Sequence, residues 1–170
     1  MLKALEDYFG SSYPYKKLDF VAVPDFAFGA MENVGLVTYR AELLLRGDEA
    51  VGGEAASTIS VIAHELAHMW YGNLATMSWW NDLWLNEAFA TWMARHVMDT
   101  QFPQYMLNLS LPQSSAFNAD GRTMSRAIRN EVRDEKEAMD GIGLNYSKGH
   151  SILNMIEGFI GPDEIGRAHV

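Results

Sequence analysis

Ser60-Val61-Ile62-Ala63-His64-Glu65-Leu66-Ala67-His68-Met69-Trp70 is the stretch on which the reading turns. Ile59, Ile62, Leu66, Met69 and Trp70 recur at intervals of three and four, the rhythm of an amphipathic helix. Ser57 or Thr58 is the expected N-cap, and Gly72-Asn73 the expected stop. On such a helix residues four apart share a face, so the imidazoles of His64 and His68 reach one cation. Glu65 sits about 100° round the helix and approaches a ligand on that cation. Eighteen residues separate His68 from Glu87, which lies on a second expected helix running from a cap at Asp82 to about Asp99. Two helices joined this way can pack antiparallel, with Glu87 opposite the histidine pair. Two imidazoles and one carboxylate form the His₂Glu set of catalytic zinc, with water in the fourth position. The helix around Glu87 is otherwise rich in Trp, Leu and Phe, where a carboxylate is costly unless paired or coordinating.

Outward from this centre, residues 2–10 read as a short helix ending at Gly10, and Asp19–Val23 as a strand. Val34–Leu45 is a second strand-rich run, and Gly29 and Gly35 bracket a segment that turns or admits another backbone. Residues 47–53 read as a loop. A third helix is expected from Pro103 to about Leu111, a weakly periodic polar stretch over 117–143, and a last helix from about Lys148 to Ile160. Early strands followed by helices give an α+β fold, with a small N-terminal sheet portion. His96 lies nine residues past Glu87, half a turn off its face, and reads as structural. His150, beside a glycine near a helix start, reads as a cap or surface residue.

The 170 residues carry 13 Lys and Arg against 22 Asp and Glu, a formal charge of −9. That acidity argues against a nucleic-acid partner. With 48% hydrophobic and 21% charged residues the chain is a folding one, not a disordered one. No stretch of about 20 apolar residues marks a membrane span. Met1–Tyr8 lacks the apolar core of a signal peptide. There is no cysteine, so any metal must be held by His, Asp or Glu.

The motif with its 18-residue gap and Leu85-Asn86-Glu87 resembles the gluzincin aminopeptidases of the membrane-alanyl-aminopeptidase type. Trp70-Tyr71-Gly72-Asn73-Leu74, Trp79-Trp80-Asn81-Asp82-Leu83-Trp84-Leu85 and Gly29-Ala30-Met31-Glu32-Asn33 match that family's pattern as well. The resemblance covers about residues 13–163. It implies part of a thermolysin-like metallopeptidase catalytic domain with one Zn²⁺ held by His64, His68 and Glu87. It further implies that Glu65 activates a zinc-bound water, that Glu32 binds the substrate's free α-ammonium, and that Tyr146 steadies the tetrahedral intermediate. Gly29, Ala30 and Met31 would then face the substrate chain. The implied activity is removal of N-terminal residues from peptides with a free amino terminus. Ala88 stands where the family usually has Gly, and Asn145 where a small hydroxyl residue is common.

Two alternatives stand beside this one. The leukotriene-hydrolase branch, which adds epoxide hydrolysis, typically shows Gly-Gly-Met-Glu-Asn; Ala30 favours the peptidase. The other is an inactive zinc-binding fragment. A zinc endopeptidase would leave Glu32 without a role. The family's further domains are not within these residues, so the parent chain's missing domains are expected partners. Cytoplasmic and exported parents fit the sequence equally, and an upstream signal peptide is compatible with it. Residues 165–170 resemble the in-frame translation of a sequencing-adapter oligonucleotide. They are read as a non-native tail, leaving 1–164 as the partial catalytic domain.

Overall fold

The computed structural model describes residues 1–46, 52–108, 112–122 and 125–167. They divide into two compact units, Met1–Leu74 with Met93–Leu109, and Ala75–Trp92 with Ser110–Val170. The fold is α+β: helices and one small three-stranded sheet.

The first unit opens with α1 (Leu2–Phe9), closed by Gly10 in the left-handed conformation. Phe9 stacks on Trp70, with ring centroids 4.9 Å apart, and the Trp70 indole N–H donates to Ser11 Oγ at 3.0 Å. Three strands follow: β1 (Asp19–Val23), β2 (Ala30–Met31) and β3 (Leu36–Arg40). Their order is β1-β3-β2, with β1 parallel and β2 antiparallel to β3. Val37 and Tyr39 of the central strand alternate into the core, the period-2 signature of a half-buried sheet. Gly35 turns the chain into β3 at φ 77°, a conformation that strains any residue with a Cβ.

The strand expected over Val34–Leu45 is cut short. Ala41–Leu44 forms a helical turn, α2, because Ala-Glu-Leu-Leu are all strong helix formers. The central helix, α3, runs Gly53–Ala67 and starts earlier than expected. Thr58 is therefore interior to it, and its hydroxyl donates to the Leu43 carbonyl instead of capping. Of the expected loop, residues 47–51 lie outside the described residues. Ala56, Ala63, Glu65, Leu66 and Ala67 are buried along α3, and the three alanines permit close backbone approach. The helix expected from Pro103 is a 3₁₀ segment, Pro103–Asn108; residues 109–111 lie outside the described residues.

The second unit contains a 3₁₀ turn, Trp80–Asp82, and the start of α4 (Leu83–Gln101). The Asp82 carboxylate accepts two hydrogen bonds from Arg129, at 2.6 and 3.2 Å. Then come α5 (Pro112–Asp120), α6 (Glu135–Met139), α7 (Ile142–Ile160) and α8 (Pro162–Arg167). Pro112 opens α5, where a proline suits the first helical turn. α7 begins six residues before the expected start, its N-cap being Gly141 at φ 83°. Ile165 of α8 is buried; residues 168–170 of the expected tail lie outside the described residues. Among the described residues no helix is long and apolar enough to cross a membrane.

Gly149 fixes one packing distance in this unit. A Cβ built there would lie 2.5 Å from Ala88 Cβ. Alanine ordinarily gains about 1 kcal/mol over glycine within a helix, but overpacking a tight contact costs about 1–3 kcal/mol. Overpacking wins here, because the opposing atom sits on a helix backbone and cannot swing away. Gly149→Ala is expected to lower the thermal midpoint by several degrees in a calorimetric scan; an unchanged or raised midpoint would contradict the contact.

Candidate metal centre

α3 delivers His64 and Glu65, and His68 follows directly after its last residue. His68 keeps helical dihedrals, φ −58° and ψ −22°, so the i, i+4 spacing survives the helix end. The two Nε2 atoms lie 2.9 Å apart, with the rings nearly perpendicular. Burial of His68 is almost complete, at 1% exposure.

Its ring orientation is set from behind. His68 Nδ1 lies 3.0 Å from the Tyr71 carbonyl, which only an N–H can approach. That bond assigns the proton to Nδ1 and leaves the Nε2 lone pair for a cation. Two nitrogens aimed at one point repel unless a proton or cation lies between them. Tetrahedral zinc, with bonds of about 2.0–2.1 Å, holds its nitrogens about 3.3 Å apart. The observed spacing is within a few tenths of that, so the pair fits zinc.

Two carboxylates approach the same imidazole. Glu65 is 5% exposed, and Glu32 Oε1 lies 3.7 Å from His68 Nδ1. Glu32, Glu65 and His68 each offer a ligand atom, all within 4.8 Å of one another, a possible metal-binding group. Burial, and next the charge of Glu65, push the Tyr39 phenol well above its ordinary range. Burial does the same for Tyr71. Both phenols therefore stay neutral at any physiological pH.

Gly29 precedes β2 (Ala30–Met31), one of the two edge strands of the described sheet, and Glu32 follows it. Edge position leaves main-chain groups available to an extended peptide. Met31 is exposed, and the Gly29 carbonyl accepts from the Arg40 N–H at 2.9 Å.

Glu87 and Tyr146 belong to the second unit. Glu87 lies in the second turn of α4 and is 7% exposed. Its Oε1 accepts a hydrogen bond from Asn86 Nδ2 at 3.3 Å. Tyr146 lies in the second turn of α7 and is exposed. The first unit thus gathers His64, Glu65, His68 and Glu32. His96 packs its ring against Tyr8, as a structural residue would. His150 corrects its expectation: it is 2% exposed in the middle of α7, neither a cap nor a surface group. The orienting Tyr71 carbonyl is not marked in the sequence, and Asn73 figures there only as a helix stop and as part of the Trp70–Leu74 motif. A lone Asn in a turn carries no local sign of a partner 41 residues away.

An α+β chain with a helix-borne His/Glu group fit for a metal is the class so defined. The peptidase family M1 domain matches residues 1–168. Aminopeptidase M1-C of Oryza sativa subsp. japonica is 42% identical over 98% of this chain and 20% of its own length. Leucyl aminopeptidase of Saccharolobus solfataricus is 40% identical over 97% of this chain and 22% of its own. Endoplasmic reticulum aminopeptidase 2 of Bos taurus is 42% identical over 94% and 17%. The chain belongs to the peptidase M1 family. It spans about one fifth of the length of the curated relatives it matches.

Proposed function

We propose that this chain carries the catalytic centre of a zinc-dependent aminopeptidase. The observation that carries the reading is the first unit's cluster. The paired Nε2 atoms stand 2.9 Å apart, and Glu32 and Glu65 each offer a carboxylate oxygen within 4.8 Å of a ring nitrogen of His68. The relatives are named aminopeptidases, which supports the same activity.

In this reading His64, His68 and Glu87 hold the ion. Burial of the Glu87 carboxylate supports its part, because a buried carboxylate requires a paired or coordinating role. When bound, zinc lowers the pKa of its water to about 7 and polarises a carbonyl. Glu65 takes the proton of the attacking water and returns it to the leaving amine. Glu32 pairs with the substrate's α-ammonium, so only the first peptide bond comes into register. The β2 edge aligns the substrate main chain. Tyr146 donates to the carbonyl oxygen as charge grows on it, a contribution of roughly 2.7–4 kcal/mol in comparable sites. Peptides with a free amino terminus are the substrates, and the further domains of the longer polypeptide complete the pocket.

The test uses the full-length protein with aminoacyl 4-nitroanilides and their N-acetyl counterparts, with and without a zinc chelator. About one zinc per chain, a free-amino preference of at least about a hundredfold, and loss of turnover on chelation are expected. Equal hydrolysis of both substrate classes would remove the aminopeptidase reading, and absence of bound zinc would remove the metal.

A further inference from the structure

The segment that carries Glu32 is held at both ends. Upstream, the Arg40 guanidinium donates through Nε to the carbonyls of Phe26 and Phe28, both at 3.1 Å, and through Nη2 to that of Ala27, also at 3.1 Å. This fork pins a loop that begins at Asp25, a non-glycine residue at φ 53°. Such strain persists only where the surroundings over-determine it.

Downstream, Asn73 bridges two carbonyls. Its side-chain Nδ2 donates to the Glu32 carbonyl at 2.8 Å. Its backbone N–H donates to the His68 carbonyl at 3.0 Å. Gly72, at φ 110°, makes the reversal that brings Asn73 back toward α3. The main chain of Glu32 therefore cannot drift without pulling on the turn that carries His68.

We propose that Asn73 is a positioning residue: it fixes the span between the metal ligand His68 and Glu32, and so sets how strictly a free α-amino group is demanded. Arg40 is the upstream anchor of the same span. The inference rests on the aminopeptidase reading above. An ion pair to an ammonium depends on placement, and a displacement of about 1 Å at a reacting centre can reduce rates by about 10²-fold. A mere helix stop would make the Asn73 backbone bond and the local amide contact to Met69 Sδ at 3.7 Å; the shorter bond to the Glu32 carbonyl goes beyond that.

The experiment measures affinities of the full-length, zinc-loaded protein for L-alanine hydroxamate and N-acetyl-L-alanine hydroxamate. Asn73→Asp keeps the side-chain size and loses the donor; Asn73→Ser is the smaller variant that decides if the first does not fold. Bound zinc is expected to stay at one per chain. The preference for the free-amino ligand is expected to fall about tenfold, a difference of about 1.4 kcal/mol, with the N-acetyl affinity nearly unchanged. An unchanged preference with zinc retained overturns the proposal, and so does loss of zinc from both variants. Glu32→Ala, measured alongside, separates the two levels. If it leaves the preference intact, the aminopeptidase reading itself fails. If it abolishes the preference while the Asn73 variants do not, only the role of Asn73 fails.

Discussion

Glu65→Gln in the full-length protein is expected to retain zinc and to lose turnover by about 10²–10⁴-fold, the usual worth of a positioned acid–base group. Glutamine keeps the size of the side chain, which is 5% exposed, so the effect reads chemistry and not a cavity. It removes a negative charge from a place where Glu32 and Glu65 already crowd His68. The metal-free variant should therefore melt no lower than the metal-free wild type. One of the two influences raising the Tyr39 phenol disappears, but burial, the larger, stays. No new titration then enters the physiological range. Turnover within tenfold of wild type, in a variant that still binds zinc, would move the general-base role to another residue. The decisive measurements are pre-steady-state turnover and metal content on one preparation.

How much of this site was open to a reader of the sequence depends on the range of the forces involved. His64, Glu65 and His68 were legible because a helix places them by local spacing alone. β1 was legible from its alternation. Ala41–Leu44 was misread because Leu43-Leu44-Leu45 satisfies an apolar strand pattern as well as a helical one. The start of α3 was misplaced because its N-cap, Gly52, offers no side-chain signal, while Ser57 and Thr58 imitate one. The first turns of α7 were missed because the residues up to 143 read as a weakly periodic polar stretch, although Gly141 serves as the left-handed cap. His150, Arg40 and Asn73 form a different group. Their settings are made by packing and by hydrogen bonds to distant carbonyls, and no short-range pattern encodes them. Glu32 stands between the two cases. Its surrounding motif is local, but its place near the imidazole is held from Asn73.

His68→Ala is expected to act on both metal and fold, and His64→Ala mainly on metal. Both substitutions remove a nitrogen of the proposed ligand set, and zinc content and activity should fall below about a thousandth of wild type. The difference lies behind the ring. His68 is 1% exposed and bonds the Tyr71 carbonyl through Nδ1, whereas His64 is half-buried. Truncating His68 leaves a buried acceptor without its donor, at about 1–3 kcal/mol, and adds a cavity to it. The two effects separate on melting with and without zinc. A ligand at 1,000 times its Kd stabilises by about 4.1 kcal/mol, so wild type should melt several degrees higher with zinc than with chelator. Neither variant should respond to zinc, because neither keeps the pair. In chelator, His64→Ala should melt close to wild type and His68→Ala clearly below it. Zinc bound at full stoichiometry by His68→Ala would dismiss that residue as a ligand. Equal melting of the two variants in chelator would mean that the bond to Tyr71 orients the imidazole for the metal and does nothing measurable for the fold.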